Sequence, residues 1–133
     1  MLAAVVSVLQ RRWQPFALVV IAAYAADGLA NLLKWIVGSK RPTDHGLVTI
    51  PHSHSFPSGH TATSFAAATV LSACAPRFAP AFYALAAAIA YSRLYLGVHW
   101  PLDVVGGAVL GVATSLLLLA AVRRRSSPLR RSG

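Results

Sequence analysis

Four apolar stretches, separated by short polar segments, make up most of the chain. They cover approximately residues 16–38, 60–75, 80–96 and 102–122. A helix needs about 20 residues to cross the hydrocarbon core of a bilayer, which is roughly 30 Å thick. The first and fourth stretches are long enough, and the middle two require their flanking residues. The pattern predicts an all-α fold, a polytopic membrane helix bundle with about four transmembrane helices.

The composition favours a lipid-facing surface. Apolar residues make up 56% of the 133 residues and charged residues 11%, whereas charged residues are about 25% of an ordinary soluble domain. A small soluble protein must cover a large surface with polar groups, although the alanine-rich middle stretches, taken alone, would also suit a soluble bundle. We expect residues 1–125 to form a single membrane-embedded domain and residues 126–133 to form a basic, disordered cytoplasmic tail.

The basic residues divide unequally between the two sides of the predicted bundle. The net charge is +9, from twelve lysines and arginines against three acidic residues. If the stretches cross alternately, one side receives no histidine and eight of the twelve basic residues, namely Arg11, Arg12, Arg77, Arg123, Arg124, Arg125, Arg130 and Arg131. By the positive-inside rule this side is cytoplasmic. We therefore expect a multi-pass protein of the inner (plasma) membrane, with all five histidines on the periplasmic or extracellular side.

Three polar clusters lie on that outer side. They are the segments 34–42, 57–60 and 92–103, and they hold the four remaining basic residues, Lys34, Lys40, Arg41 and Arg93. The positive-inside rule explains the eight cytoplasmic arginines but not these four. They therefore require a functional explanation.

The clusters contain groups that suit a phosphate. Phosphoryl transfer requires positive charge and hydrogen-bond donors around three equatorial oxygens. Lys34 offers a compact ammonium, and Arg41 and Arg93 offer guanidinium forks. Ser58 is a suitable N-cap for the second helix, and Gly59 allows an anion to come close to the free N–H groups of that helix. Because these groups supply the positive charge without a metal, we expect no cofactor.

Two histidines remain for covalent and acid–base chemistry. Asp103 is the only carboxylate near His99 in the sequence. A carboxylate that holds one ring nitrogen leaves the other nitrogen free to attack phosphorus. His60 follows Gly59 and could protonate the departing oxygen. We therefore assign His99 as the nucleophile, His60 as the general acid and Asp103 as the residue that orients His99.

Each motif alone also has an ordinary structural interpretation. A lysine near a helix end often extends its amine to the membrane surface, and His99 beside Trp100 could belong to an interfacial aromatic belt. Arg93 is harder to explain without an anion, because an arginine at the centre of a membrane helix costs about 2.5–3.5 kcal/mol on insertion scales. Asp27, the only acidic residue in the interior of a predicted span and away from its ends, suits either a structural role or a role in the site.

The polar loop between the first two stretches holds three further histidines, His45, His52 and His54. His52 and His54 would be the best pair for a metal ion. We nevertheless expect no metal site there.

Together the three clusters resemble the signature of the type 2 phosphatidic acid phosphatase family, which shares its site with vanadium haloperoxidases. The signature is Lys-x6-Arg-Pro, Pro-Ser-Gly-His and Ser-Arg-x5-His-x3-Asp, and it is complete here over residues 34–103. The resemblance implies a phosphohistidine intermediate on His99, with His60 and Asp103 as its catalytic partners. It also implies phosphate binding by five residues, Lys34, Arg41, Ser58, Gly59 and Arg93.

The same resemblance implies a membrane lipid phosphatase that hydrolyses a phosphomonoester or a pyrophosphate. Candidate substrates are undecaprenyl pyrophosphate, phosphatidylglycerophosphate and phosphatidic acid. Members of the family that reside in membranes usually have six spanning helices, two of them before the Lys-x6-Arg-Pro element, whereas only residues 1–15 precede the first span predicted here.

This difference leaves other interpretations open. A truncated or non-catalytic membrane protein that retains the phosphate site is one alternative, and a homo-oligomer could cover the exposed helix faces. A soluble haloperoxidase conflicts with the hydrophobicity of the chain. The low number of aromatic residues available to stack on bases argues against a nucleic-acid partner.

Overall fold

The computed structural model describes residues 2–41 and 54–126. Side chains are described for residues 13–41 and 54–125. Within these residues the secondary structure is helical and contains no strand. The four helices are α1 (Leu2–Val37), α2 (Gly59–Cys74), α3 (Ala79–Tyr95) and α4 (Pro101–Ser126), and a short 3₁₀ turn at Pro76–Phe78 joins α2 to α3. The predicted all-α bundle is thus confirmed.

The two outer helices are longer than the apolar pattern predicts. Helix α1 continues through Pro15 to Leu2, although the polar residues before position 16 suggested a later start. Arginine and glutamine are good helix formers, so polarity alone does not end a helix. Arginines also stabilise the last turn of α4, because their positive charge interacts favourably with the negative end of the helix dipole. Helix α4 reaches Ser126, the first residue of the predicted tail, and residues 127–133 lie outside the described residues.

Among the described residues, two segments are long and apolar enough to cross a membrane. They are Trp13–Val37 in α1 and Pro101–Arg125 in α4, each of 25 residues. Helices α2 and α3 have 16 and 17 residues, fewer than the roughly 20 that span the hydrocarbon core. Large apolar side chains on the two long helices are exposed, among them Trp35 and Leu117. Such a surface suits lipid rather than water.

Helix α2 is at the centre of the bundle and packs against each of the other three helices, whereas the described parts of α1 and α3 do not contact each other. The core between α1 and α2 consists mostly of alanines one turn apart on each helix, such as Ala22 and Ala26 on α1 and Ala62 and Ala66 on α2. Small side chains allow the two backbones to approach closely. As a result, the end of α1 and the start of α2 lie side by side.

Glycines bring α4 equally close to α2. A Cβ on Gly107 would lie 2.5 Å from the carbonyl oxygen of Ser58, and a Cβ on Gly111 would lie 2.2 Å from that of Ala62. Real Cβ atoms do not approach so near, so only glycine allows this contact. The G-x-x-x-G pattern therefore serves helix packing, as in many membrane bundles. It also fixes the start of α4, which carries Asp103, against the start of α2.

Candidate active site

The three sequence clusters meet at one end of the bundle. The backbone N–H of Ser55 donates to the carbonyl of Ser39 at 2.9 Å, and the N–H of Phe56 donates to the Ser39 hydroxyl at 2.8 Å. The indole N–H of Trp100 donates to the carbonyl of Lys40 at 3.3 Å. These bonds connect the segment after α1 with the segment before α2 and with the loop between α3 and α4.

Two glycines in the left-handed conformation produce the necessary chain reversals. Gly38 has φ 62° and Gly97 has φ 67°. The N–H of Gly38 donates to the carbonyl of Lys34 and ends α1. After α3, the N–H of Gly97 donates to the carbonyl of Leu94, and the N–H of Val98 donates to that of Arg93. This is the Schellman arrangement, which favours glycine because a Cβ would be strained there. The reversal at Gly97 brings His99 back over the site.

His99 and Asp103 are both buried, with exposed fractions of 6% and 3%. The His99 Nδ1 lies 3.6 Å from the Asp103 Oδ2. This distance is an electrostatic contact, longer than a hydrogen bond, and Nδ1 makes no hydrogen bond within the described part of the chain. The Asp103 Oδ2 accepts hydrogen bonds from the hydroxyl of Ser55 and from the backbone N–H of Trp100, the latter at 2.7 Å. The carboxylate is therefore fixed beside Nδ1, and Nε2 faces the other way.

Arg41 lies on that other side of the ring. Its Nη1 donates to the carbonyl of Val98 at 2.9 Å and lies 3.5 Å from the His99 Nε2. Burial and, second, the charge of the Arg41 guanidinium lower the pKa of His99 to about 4, whereas Asp103 acts in the opposite direction. Burial also lowers the pKa of Arg41 from its ordinary value. At neutral pH His99 is consequently an uncharged imidazole, with a lone pair available for reaction.

Ser58 begins α2 as an N-cap, as the sequence predicts. Its hydroxyl oxygen accepts hydrogen bonds from the N–H of Thr61 at 3.5 Å and from the Thr61 hydroxyl at 3.1 Å. Its own N–H donates to the carbonyl of Asp103 at 2.9 Å. Ser58 is completely buried, so capping and attachment to α4 are functions that the structure displays directly.

Gly59 faces α1. A Cβ on Gly59 would lie 3.1 Å from the Asp27 Oδ1 and 3.6 Å from the Lys34 Nζ. The absence of a side chain at Gly59 therefore makes room for two charged groups of α1 at the first turn of α2. Lys34 reaches this turn from the last turn of α1.

Arg93 and His60 complete the set of predicted residues. Arg93 is half-buried in the last turn of α3, and its Nε is buried without a hydrogen-bond partner among the described residues. His60 is exposed in the first turn of α2 and lies near enough to interact electrostatically with Arg93, Lys34, Asp27 and Arg41. Every residue assigned from the sequence thus reaches the same end of the bundle. Lys34 and Arg41 act electrostatically on both histidines, and Arg93 acts on His60.

Sequence analysis missed three polar residues that support this arrangement. Ser39 and Ser55 connect the loop segments, and Asn31 contacts both Asp27 and Lys34 on α1. Asn31 could have been found, because it follows Asp27 by four positions and therefore shares its helix face. The two serines lie in irregular segments, where spacing gives no such signal.

The remaining histidines divide between described and undescribed parts of the chain. His45 and His52 lie outside the described residues. His54 is exposed and packs edge to face against Trp35, with ring centroids 6.2 Å apart. Within the ranges 2–41 and 54–126, no three histidine, cysteine or acidic side chains are grouped so that they could hold a metal ion.

Comparison with known proteins places this architecture in a family. Residues 13–127 match the model of the PAP2 superfamily. The chain is 39% identical over 98 residues to a lipid A 1-phosphatase of Rhizobium johnstonii, covering 67% of this chain and 40% of the relative. It is 34% identical over 104 residues to an undecaprenyl-diphosphatase of Sulfolobus acidocaldarius, covering 74% of this chain and 50% of that protein. The chain thus spans half or less of the length of these relatives.

A solved structure shows the same fold. The chain superposes on a transmembrane PAP2-type phosphatidylglycerolphosphate phosphatase from Bacillus subtilis with a TM-score of 0.67 and 27% sequence identity. The match covers 88% of this chain and 61% of the other. A membrane bundle with apolar helices is therefore established for this sequence, and the chain belongs to the PAP2 superfamily.

Proposed function

We propose that this protein is a metal-independent membrane lipid phosphatase that forms a phosphohistidine on His99. The observation that carries the proposal is the environment of the imidazole. Asp103 lies beside Nδ1, and Arg41 Nη1 lies 3.5 Å from Nε2. A phosphate bound by Arg41 would meet Nε2, the nitrogen that carries the lone pair when Nδ1 is protonated.

The first chemical step transfers the phosphoryl group to the protein. The Nε2 of His99 attacks phosphorus, a P–N bond forms, and the P–O bond to the lipid breaks. His60 donates a proton to the departing oxygen. Asp103 stabilises the positive charge that develops on the imidazole. The 3.6 Å contact shortens to a hydrogen bond in this step, as catalytic contacts in unliganded sites commonly do.

The second step returns the protein to its starting state. Water attacks the phosphorus of the phosphohistidine, and the now neutral His60 accepts a proton from that water. The P–N bond breaks, inorganic phosphate leaves, and His99 is again a neutral imidazole. Throughout both steps the charge on the phosphoryl oxygens is stabilised by three cations and by the start of α2. The cations are Lys34, Arg41 and Arg93, and the start of α2 comprises the Ser58 N-cap and the first turn from Gly59 onward.

A groove between α2 and α3 favours a lipid over a soluble phosphate ester. It has a volume of about 280 Å³ and is lined by Thr63, Ser64, Ala67, Ala68, Leu71, Phe82, Leu85, Ala86 and Ile89. The two hydroxyl groups bond to carbonyls of their own helix, Thr63 to Gly59 and Ser64 to His60. The groove is therefore apolar in effect.

The outer end of this groove adjoins the site. Ser64 lies one turn after His60 on α2, and Arg93 lies one turn after Ile89 on α3, so each pair shares a helix face. A hydrocarbon chain in the groove would place its phosphate between His60 and Arg93. Undecaprenyl pyrophosphate, phosphatidylglycerophosphate and phosphatidic acid all combine such a chain with a terminal phosphate.

The arginine distribution supports a site on the periplasmic or extracellular side of the inner membrane. Arg77, between α2 and α3, and the arginines that end α4 lie at the opposite end of the bundle from His99. By the positive-inside rule that end is cytoplasmic. The substrate is therefore a lipid whose head group is exposed outside the cytoplasm.

Phosphate release tests this proposal. Purified protein in detergent with EDTA is incubated with each of the three lipids, beside His99→Ala. We expect release from at least one lipid by the wild type, inhibition by vanadate, and loss of at least about 1,000-fold in the variant, since the nucleophile is removed. Activity that requires Mg²⁺, or that survives in a folded His99→Ala protein, would contradict the mechanism.

A further inference from the structure

Three polar side chains form a hydrogen-bonded row on one face of α1. The Asn31 Nδ2 donates to the Asp27 Oδ2 at 3.1 Å, and the Lys34 Nζ donates to the Asn31 Oδ1 at 3.2 Å. Residues four and three positions apart on a helix lie one above the other. The amide of Asn31 therefore connects a carboxylate to an ammonium, using its donor towards one and its acceptor towards the other.

The row ends at the first turn of α2. A Cβ on Gly59 would approach the Asp27 Oδ1 to 3.1 Å and the Lys34 Nζ to 3.6 Å. Both charged ends of the row are thus held against the residue that follows the Ser58 N-cap. In the proposed mechanism, the N–H groups of this turn bind the phosphate.

Such a row has a cost in an apolar helix. Asp27 lies ten residues before Val37, where α1 ends, which is about 15 Å along the helix axis. A charged side chain at the middle of a membrane helix costs about 2.5–3.5 kcal/mol on insertion scales. Snorkelling of Lys34 would explain the lysine, but it would not explain a carboxylate at the same turn of α2, or the amide that connects this carboxylate to Lys34.

A lysine side chain must also be held by other groups if its ammonium is to occupy one defined position. It has four rotatable bonds and a compact charge, so it has no fixed geometry of its own. Asn31 supplies an acceptor that restricts the ammonium to one direction. Asp27 in turn fixes the amide of Asn31, because only the Nδ2 can donate to a carboxylate, and the Oδ1 is then directed towards Lys34.

We infer that Asn31 and Asp27 are positioning residues that hold the Lys34 ammonium against the phosphate site. The inference rests on the proposed function, because it assigns the phosphate as the anion that Lys34 meets. Asn31 touches Lys34 directly, and Asp27 acts through Asn31. Neither residue belongs to the three clusters that reveal the site in the sequence.

A double-mutant cycle tests the inference. The proteins compared are wild type, Asn31→Leu, Lys34→Met and the double variant, and kcat/KM for the best lipid substrate is measured for each. If Asn31 acts through Lys34, Asn31→Leu alone lowers kcat/KM about tenfold, corresponding to coupling of the size seen between contacting residues. In the Lys34→Met background the same change lowers kcat/KM by less than about twofold, since no ammonium remains to be positioned. Equal losses in both backgrounds would overturn the inference.

A conservative pair separates positioning from general structure. Asp27→Asn retains an oxygen that can accept from the Asn31 Nδ2, and Asp27→Leu does not. We expect Asp27→Asn to retain several times more activity than Asp27→Leu. Gly28→Ala is the matched control on the same helix turn, because a Cβ there meets nothing within 4 Å. Identical activity of the two Asp27 variants would contradict the role assigned to the carboxylate.

Vanadate binding distinguishes failure of this inference from failure of the proposed function. The dissociation constant for orthovanadate is measured for the same four proteins, which requires no turnover. If the wild type binds vanadate and the cycle shows the same coupling, the positioning role stands even where no lipid is hydrolysed. If Asn31→Leu weakens vanadate binding equally in both backgrounds, or if the wild type does not bind vanadate, the positioning role is refuted.

Discussion

Arg41 and His99 are distant in the sequence but lie together at the centre of the site, with Arg41 Nη1 3.5 Å from His99 Nε2. The same Nη1 donates to the carbonyl of Val98 at 2.9 Å. The guanidinium is therefore fixed by the backbone next to the histidine that it influences. In the proposed mechanism, Arg41 thus both binds the phosphate and helps to keep His99 uncharged.

The proton affinity of His99 provides the first prediction. Its pKa is about 4, below the ordinary 6.5, because of burial and the charge of Arg41. Removing that charge in Arg41→Gln should raise the pKa towards 6.5, because the imidazolium is then repelled less. Histidine ring signals in ¹⁵N NMR, followed from pH 3.5 to 8 without substrate, measure this directly. A wild-type His99 that titrates near 6.5, or a pKa that falls in Arg41→Gln, would be inconsistent with the arrangement.

The downward direction of the His99 pKa shift determines how the activity depends on pH. Because the pKa of His99 is about 4, the neutral form that the mechanism requires predominates from neutral pH into mild acid. The acid limb of kcat/KM for the wild type should therefore not arise from His99 above about pH 5. In Arg41→Gln an additional loss should begin at higher pH, measured relative to the wild type with the same substrate.

Ser55 provides a second prediction, because its hydroxyl donates to Asp103. Ser55→Ala leaves Asp103 with the N–H of Trp100 and should lower kcat by about 3- to 15-fold, corresponding to the loss of one hydrogen bond. KM should change little, since Ser55 is completely buried. The matched control is Ser115→Ala, which removes a buried hydroxyl that donates to the Ala66 carbonyl at 3.0 Å. If both variants lose the same activity, Ser55 has no specific role in orienting Asp103.

Gly111 provides a third prediction, which concerns stability. A Cβ at this position would lie 2.2 Å from the carbonyl oxygen of Ala62, so Gly111→Ala must force α4 away from α2. We expect a loss of about 1–3 kcal/mol, the usual cost of overpacking, seen as a lower melting temperature in detergent. Gly28→Ala, with open space around it, should not lower the melting temperature. Equal stability of Gly111→Ala and the wild type would show that the two helices do not pack this closely.

The groove between α2 and α3 provides a fourth prediction. Ala67→Leu fills part of it, so the KM for a long-chain lipid phosphate should rise by about fourfold or more, the value of one displaced CH₂ contact. Hydrolysis of the soluble ester p-nitrophenyl phosphate should be unchanged. Ala88→Leu, on an exposed face of α3, is the control. An equal effect of Ala67→Leu on the two substrates would mean that no lipid chain occupies the groove.

The sequence was sufficient to predict which residues gather at the site. Six residues of the site lie at or beside the ends of apolar stretches, and helices that cross alternately bring such ends together. They are Lys34, Arg41, His60, Arg93, His99 and Asp103. The order of charged and apolar residues along the chain therefore predicts which residues lie at this end of the bundle. It also predicted the N-cap at Ser58, because a serine before a helical run has a simple local role.

The sequence did not predict how the ends of the bundle are connected. Ser39 and Ser55 lie in irregular segments, and their partners depend on chain reversals whose direction no hydrophobic period encodes. The helix limits were also underestimated, since Arg12 and Arg124 are polar but good helix formers. Likewise, the space at Gly59 suggested phosphate alone, whereas Asp27 and Lys34 of α1 approach it, a contact that depends on tertiary packing.

The most direct test of the central claim is to trap the intermediate on His99. The enzyme is mixed with the lipid that supports the fastest release, quenched in base during turnover, digested and analysed by mass spectrometry, with His99→Ala beside it. We predict a phosphate on the peptide that contains His99 in the wild type and none in the variant. A phosphate on another residue, or rapid turnover with no phosphorylated peptide at any quench time, would contradict the account.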